Sequence, residues 1–160
     1  SFGISGNVVK EIDRGAKWAG GKLGYMLASA KSLLRYHDLP VRWRADGGPW
    51  QEEALTAFCV CNGRYFGGGM VVAPDARMDD GWFDLTVWKG LGLKDFLTKR
   101  HMLYDGSHVT LPNTRVLRAR TLQAEAACQG PVLLDVDGEH PGRLPARFSI
   151  LPGALRVRVG

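Results

Sequence analysis

The sequence predicts a mainly β domain with two or so helices (an α+β chain), arranged as an antiparallel β-sandwich or flattened barrel. Glycine accounts for 21 of the 160 residues, and the glycines cluster with Asp, Asn and Pro between short apolar runs. That composition is typical of tight turns between strands. Beyond Pro40 the apolar residues mostly recur at every second position, which is the period of a half-buried strand.

Helical periodicity is strongest in two segments. From Lys22 to Tyr36 the apolar residues recur at three- and four-residue spacings, and Asp38-Leu39-Pro40 ends the pattern. The same spacing returns between Leu93 and Tyr104. A further turn or two of helix is predicted within Val8–Lys17. We expect the apolar face of each helix to pack on the sandwich.

The remaining segments predict short strands around one core, so that residues 1–160 form a single domain. The segment Thr114–Ala126 is long enough that we expect it to bend or bulge and to serve two sheets. The other predicted strands are Val41–Arg44, Glu53–Cys61, Met70–Ala73, Phe83–Trp88, His108–Leu111, Val132–Asp137, Ala146–Leu151 and Ala154–Val159.

The charge and the cysteines limit the class of function. The net charge of +5 favours anionic partners such as nucleotide phosphates or lipid headgroups. No run of Lys and Arg is dense enough for a nucleic-acid arm, so we expect no nucleic-acid partner. Cys59 and Cys61 share one face of a predicted strand, and the three cysteines, including Cys128, do not have the spacing of a metal site. We therefore expect reduced thiols in the core, which is typical of a cytosolic protein. No apolar stretch approaches the length of a membrane span.

Two segments could carry chemistry. The first runs from the triple glycine Gly67–Gly69 to Asp84, and it lacks the Lys-Ser/Thr of a phosphate-binding P-loop. Its carboxylates Asp79, Asp80 and Asp84 could hold a hard cation such as Mg²⁺, or they could simply cap a hairpin turn.

The second candidate is the Asp137–Glu139 turn, which follows an apolar strand. Its two carboxylates can converge beyond the strand, and such a pair can supply a general base. A solvated Asp-Gly turn is the alternative, and spacing alone favours it.

The order of several motifs resembles the C-terminal domain of bacterial diacylglycerol kinase-like lipid kinases, a pattern that sphingosine and ceramide kinases share. The resemblance covers nearly the whole chain. It depends on Gly3–Val9, Asn62-Gly63, Gly67–Met70, Ala73–Ala76, Asp79–Asp84, Asp137–Glu139 and Leu151–Leu155.

The resemblance implies the lipid-substrate half of a two-domain kinase, with a β-sandwich of the NAD kinase and diacylglycerol kinase-like type. The family's nucleotide-binding half carries a Gly-Gly-Asp-Gly-Thr motif that is absent from this sequence. ATP would therefore bind mainly to an N-terminal kinase domain of the same protein, and this chain alone is expected to be inactive. The implied reaction transfers the γ-phosphoryl group of ATP to a lipid hydroxyl such as that of diacylglycerol.

The family's general base corresponds to Glu139, with Asp137 as its competitor or orienting partner. The resemblance also implies a Mg²⁺ ion held by the side chain of Asp80 and the backbone carbonyls of Arg77 and Trp82. It places the protein in the cytoplasm and peripherally at the inner membrane face, where its lipid substrate lies. Exposed strand edges also allow a homodimer.

Two other functions stay open at this point. One is an NAD kinase-like enzyme, which would phosphorylate a ribose hydroxyl. The other is a non-catalytic lipid-binding or regulatory module. The basic residues Lys94, Lys99 and Arg100 raise a further hypothesis, that the second helix contacts a bilayer. Packing of that helix on the sandwich explains its apolar stripe with fewer assumptions, and we favour that interpretation.

Overall fold

A computed structural model describes residues 1–14 and 29–156 of the chain. The strands are β1 (Phe2–Gly3), β2 (Leu39–Ala45), β3 (Gln51–Leu55), β4 (Ala57–Cys61), β5 (Tyr65–Phe66), β6 (Met70–Val71), β7 (Phe83–Trp88), β8 (Thr114–Ala119), β9 (Thr121–Ala126) and β10 (Ala146–Ser149). The helices are α1 (Ile4–Arg14), α2 (Leu93–Asp105) and a 3-10 turn at Ser107–Thr110. Residues 29–33 are also helical.

Two four-stranded antiparallel sheets form the sandwich. The first sheet has the order β1-β4-β7-β8, the second has the order β10-β9-β2-β3, and β5 and β6 form a separate hairpin. The two sheets enclose a core in which Phe58 stacks on Phe2 and meets Trp43 edge to face, with ring centroids 4.8 and 5.2 Å apart. The predicted mainly β sandwich with a few helices is therefore confirmed.

The predicted bend in Thr114–Ala126 is present at Arg120, where β8 of the first sheet becomes β9 of the second. The side chain of Asp46 fixes this corner, because its Oδ1 accepts the backbone N–H groups of Arg120 and Thr121 at 2.9 and 2.8 Å. One carboxylate thus satisfies two amides that the bend removes from the sheet ladders.

A second corner divides the segment predicted as one strand from Glu53 to Cys61. That prediction was wrong, because Thr56 separates β3 of the second sheet from β4 of the first. The Thr56 hydroxyl donates to Asp38 at 2.6 Å and accepts the N–H of Leu91 at 3.0 Å. The side-chain bonds of one threonine therefore hold the chain where it changes sheets.

Three other segments predicted as strands do not form full strands in the structure. His108–Leu111 falls on the 3-10 turn, where both ring nitrogens of the buried His108 face carbonyl oxygens, those of Met102 at 3.3 Å and Val72 at 3.2 Å. Val132–Asp137 makes only isolated bridges, one of them to the edge strand β1. Of Ala154–Val159, the first three residues form no strand and the rest lie outside the described residues, as do residues 15–17 and 22–28 of the predicted helices.

The central strands of the first sheet, β4 and β7, are buried on both faces. Side chains alternate along β4, so that Phe58 enters the core between the sheets while Cys59 and Cys61 belong to a second apolar cluster on the outer face. Both thiols are free and buried, as predicted, and burial raises the pKa of Cys61 to about 11. In the part of the chain that the structure describes, no helix is long and apolar enough to cross a membrane.

Glu53 joins the two sheets electrostatically. Its carboxylate on β3 accepts hydrogen bonds from Trp43 Nε1 and an Arg115 guanidinium nitrogen, both at 2.8 Å, and it pairs with Lys89. Burial opposes ionisation of Glu53, but the hydrogen bonds and charges of Lys89, Trp43 and Arg115 outweigh it and keep the pKa below its ordinary value. The ion pairs of Glu53 with Lys89 and Arg115 stabilise the fold more than exposed ion pairs would, because only 13% of the Glu53 side chain is accessible.

We predict that Glu53→Gln lowers the free energy of unfolding by about 2 kcal/mol at pH 7, because Lys89 and Arg115 lose their shared anion. Because the pKa of Glu53 is lower in the folded state, its ionised carboxylate stabilises the fold at pH values above the ordinary pKa of 4.5. This contribution is lost as the pH falls through the pKa of the folded state. Urea unfolding between pH 3 and 7 should therefore show a shallower acid decline in Glu53→Gln than in wild type. The exposed neighbour Glu52→Gln is the control, and equal behaviour of the two variants would refute the prediction.

Candidate functional site

The acidic turn predicted at Asp137–Glu139 is a two-residue hairpin. Val136 and Glu139 exchange backbone hydrogen bonds of 3.0 and 2.9 Å. Asp137 and Gly138 between them have φ values of +51° and +85°, a conformation that Asp-Gly sequences favour. The side chains of Asp137 and Glu139 are both exposed. The turn therefore presents two carboxylates to solvent from a fixed backbone.

The base of this turn is held by Asp135, for which the sequence predicted no role. Asp135 is 2% exposed, and its Oδ1 accepts the backbone N–H of Gly138 at 3.0 Å. Its Oδ2 accepts the hydroxyl of Ser1 at 2.9 Å, and its own N–H donates to the Ser1 carbonyl at 2.8 Å. A buried carboxylate with these partners fixes the orientation of the turn.

An apolar cavity of about 110 Å³ lies on the outer face of the first sheet. Elements far apart in sequence enclose it, namely α1, the helical residues 29–33, β4, β7 and α2. Its lining is almost entirely apolar and includes Val8, Cys59, Trp88, Phe96 and Leu103. Because each of these residues also fits an ordinary apolar face in the sequence, no motif predicted the cavity.

A chain of side-chain contacts connects the cavity with the acidic turn. Ser5, on the first turn of α1, lines the cavity, and its hydroxyl lies 2.8 Å from the Ser1 hydroxyl. Ser1 in turn contacts Asp135, which holds the turn at Gly138. The structure therefore brings together one of the two predicted sites and an apolar cavity that the sequence did not reveal.

The other predicted site, the Asp79–Asp84 segment, is built around Arg118. Asp80 Oδ1 accepts the backbone N–H of Trp82 at 3.0 Å, and its second oxygen pairs with Arg118. The same guanidinium lies 3.6 Å from Asp84 Oδ1. Asp84 is 3% exposed, and burial, only partly opposed by Arg118, raises its pKa. Asp79 points elsewhere and pairs with the exposed Arg77 at 3.2 Å.

The donor atoms of this turn suit Mg²⁺ only in part. A carboxylate and backbone carbonyls are the oxygen ligands that Mg²⁺ prefers, and Asp84 Oδ2 is buried without a hydrogen-bond partner. However, Arg118 already supplies positive charge to Asp80, and within residues 1–14 and 29–156 no three acidic, His or Cys side chains are grouped to hold a metal. As arranged, the residues do not form a cation cage, and the site at Asp80, Arg77 and Trp82 stays a prediction.

The triple glycine has a conformational explanation. It forms the turn between β5 and β6, where Gly67, Gly68 and Gly69 have φ values of +31°, +71° and +90°. Residues with side chains rarely adopt three successive conformations of this kind. The hairpin that results packs against α2 rather than cradling a phosphate.

Comparison with known proteins gives consistent results. The sequence model of a family described as "YegS C-terminal NAD kinase beta sandwich-like domain" matches residues 1–159. A "Diacylglycerol kinase" of Mycobacterium tuberculosis is 32% identical over 141 residues, which are 88% of this chain and 45% of that protein. A "Probable lipid kinase YegS-like" of Stenotrophomonas maltophilia is 31% identical over 159 residues, which are 99% of this chain and 51% of that protein.

A solved structure shows the same likeness. A protein of Bacillus anthracis, described as a candidate diacylglycerol kinase, is similar with a TM-score of 0.63 and 28% identity. The match covers 89% of this chain and 47% of that one. The chain thus spans about half the length of the relatives that it matches.

We predict that Asp135→Ala loosens the acidic turn without unfolding the domain. Loss of a charge-assisted hydrogen bond should speed hydrogen exchange at the Gly138 amide by about tenfold or more. Asp135→Asn is the matched control, because its amide oxygen can still accept the Gly138 N–H and should keep exchange within a few-fold of wild type. Unchanged exchange in Asp135→Ala would show that Asp135 does not hold the turn.

Proposed function

Because this chain belongs to the family of YegS C-terminal NAD kinase β-sandwich-like domains, we propose that it is the acceptor-lipid half of an ATP-dependent lipid kinase. The reaction would transfer the γ-phosphoryl group of ATP to a lipid hydroxyl such as that of diacylglycerol. The observation that carries this proposal is the side-chain path from the apolar cavity through Ser5 and Ser1 to Asp135 and the acidic turn.

The cavity is suited to part of an acyl chain. Most of the surface that its lining exposes is apolar, so that an apolar ligand can enter while losing few hydrogen bonds to water. Each buried methylene would contribute about 0.8 kcal/mol to binding. This lining favours a lipid over NAD as the acceptor, because every part of a dinucleotide carries polar groups that would lie against mostly apolar surface. The NAD kinase alternative is correspondingly weaker.

The acidic turn would supply the general base. We assign this role to Glu139, whose exposed carboxylate would take the proton of the lipid hydroxyl as that oxygen bonds to the γ-phosphorus and the bond to ADP breaks. Asp137 would orient the hydroxyl or share the proton. Asp135 would hold both through the Gly138 amide.

ATP would bind mainly to the nucleotide half that the length of the relatives indicates. A Mg²⁺ ion carried with it would neutralise phosphate charge. An additional ion at Asp80, Arg77 and Trp82 stays a prediction, because Arg118 already pairs with Asp80. The proposal places the protein in the cytoplasm, peripheral at the inner membrane face, where its acceptor lipid lies. Homodimer formation and the absence of a nucleic-acid partner stay predictions.

We expect the complete protein that carries this chain to phosphorylate a lipid from labelled ATP. Glu139→Gln should lower kcat by about 10²- to 10⁴-fold, as loss of a general base does, and Asp137→Asn should have a smaller effect. Glu125→Gln, an exposed carboxylate on the second sheet, is the matched control. Retention of activity in Glu139→Gln would refute the base assignment. Phosphorylation of NAD and of no lipid would refute the substrate class, and activity on neither would favour a binding module.

Filling the cavity should change which lipids are phosphorylated. Cys59→Leu adds apolar volume at its wall, so we expect KM to rise about tenfold for a long-chain acceptor, the equivalent of roughly two excluded methylenes. KM for a short-chain acceptor should be unchanged. Cys59→Ala is the control, and it should not discriminate against long chains. An equal effect of Cys59→Leu on both acceptors would show that the chain binds elsewhere.

A further inference from the structure

We propose that the outer face of α2 is the surface by which the protein docks on an anionic lipid bilayer. This docking surface consists of Lys94, Leu97, His101 and Tyr104. The proposal deepens the lipid-kinase function and depends on it for its biological purpose, but membrane binding can be measured without any reaction.

The four residues form one stripe along the helix. Their spacings of three, four and three residues place them on one side of α2. All four are exposed, and 60% of Leu97 and 46% of Tyr104 are accessible to solvent. A helix whose opposite side already packs on the domain has no structural need for a large aliphatic and an aromatic residue in water. Leucine, tyrosine and lysine together are typical of the interface between headgroups and acyl chains.

The charges of α2 are distributed so that the stripe is basic. The carboxylate of Asp95 is half-buried toward the cavity and pairs with Lys99 at 2.8 Å. Asp105, at the end of the helix, accepts the backbone N–H and the hydroxyl of Ser107. The stripe itself carries no carboxylate, and it presents Lys94 and His101 beside the exposed Arg100, with the exposed Asp105 only at its C-terminal end. It is therefore complementary to anionic headgroups.

This distribution changes the hypothesis that the sequence raised. Lys99, which the sequence hypothesis counts with Lys94 and Arg100 among the membrane-facing cations, pairs with Asp95. The exposed apolar residues Leu97 and Tyr104, which that hypothesis does not include, belong to the stripe.

A groove beside the apolar cavity lies at the same surface. It has a volume of about 470 Å³, runs between α2 and β6, and is lined by Arg100, His101, Tyr104 and Asp105 among others. Phe96 and Leu103 line both this groove and the apolar cavity. A bilayer in contact with the stripe would therefore face the groove directly. An acyl chain could then pass from the membrane to the cavity without crossing water, which would cost its full hydrophobic transfer free energy.

The test is co-sedimentation of the complete protein with phosphatidylcholine vesicles, prepared with and without phosphatidylglycerol. We expect Leu97→Asp to weaken binding to both kinds of vesicle by at least about tenfold, because an apolar anchor becomes an anion. Lys94→Glu should weaken only the phosphatidylglycerol-dependent part, and added salt should mimic it. Val116→Asp, an exposed apolar residue on β8, and Arg147→Glu, an exposed cation on β10, are the matched controls. Wild-type binding by both stripe variants would overturn the proposal.

Phosphorylation of a short-chain acceptor dispersed as monomers separates this proposal from the proposed function. Stripe variants that lose vesicle binding but phosphorylate the monomeric acceptor at the wild-type rate support both. If wild type binds vesicles through the stripe but phosphorylates no lipid, the docking surface stands and the lipid-kinase function fails. If Leu97→Asp also loses monomer activity and unfolds at a lower temperature, the stripe is covered by protein and the docking proposal fails.

Discussion

The burial of β4 and β7, the central strands of the first sheet, on both faces is the constraint on which the rest of the structure depends. One face meets the second sheet through Phe58 and its aromatic neighbours, and the other carries Cys59, Cys61 and Trp88 beneath the helices. A sandwich needs only its inner faces buried. The additional outer layer creates a second apolar region, and incomplete filling of that region by α1, α2 and residues 29–33 leaves the cavity.

The edge of the same sheet determines where polar chemistry can occur. Strand β1 has only two residues, and the segment beyond it makes isolated bridges instead of a full strand. The chain there is therefore fixed by side chains, above all by Asp135 with Ser1 and Gly138. An acidic hairpin thus projects beyond the sheet while its base stays within two side chains of the cavity wall.

The sequence predicted the fold class and most strands because turn chemistry and alternation are local signals. It failed where tertiary contacts override them. The segment around His108 has the composition of a strand, but a buried imidazole between two carbonyls fixes it in a 3-10 turn. The acidic turn could be located from Asp-Gly and from the resemblance. The role of Asp135 and the cavity could not be predicted, since they bring together residues far apart in sequence. Ser1 contacts Asp135, and Cys59 and Phe96 line the same cavity.

The two corners at Thr56 and Arg120 have a mechanical consequence. Each passes a continuous backbone from one sheet to the other, and each is tied by a carboxylate, that of Asp38 or Asp46. The two sheets are therefore connected directly by backbone at two corners, which oppose any separation of one sheet from the other. Helix α2 is not part of either corner, and it contains no fully buried residue. The domain thus combines a rigid β-sandwich with a cavity wall, α2, that is held less firmly. If a bulkier ligand required the cavity to expand, α2 is the element that would move.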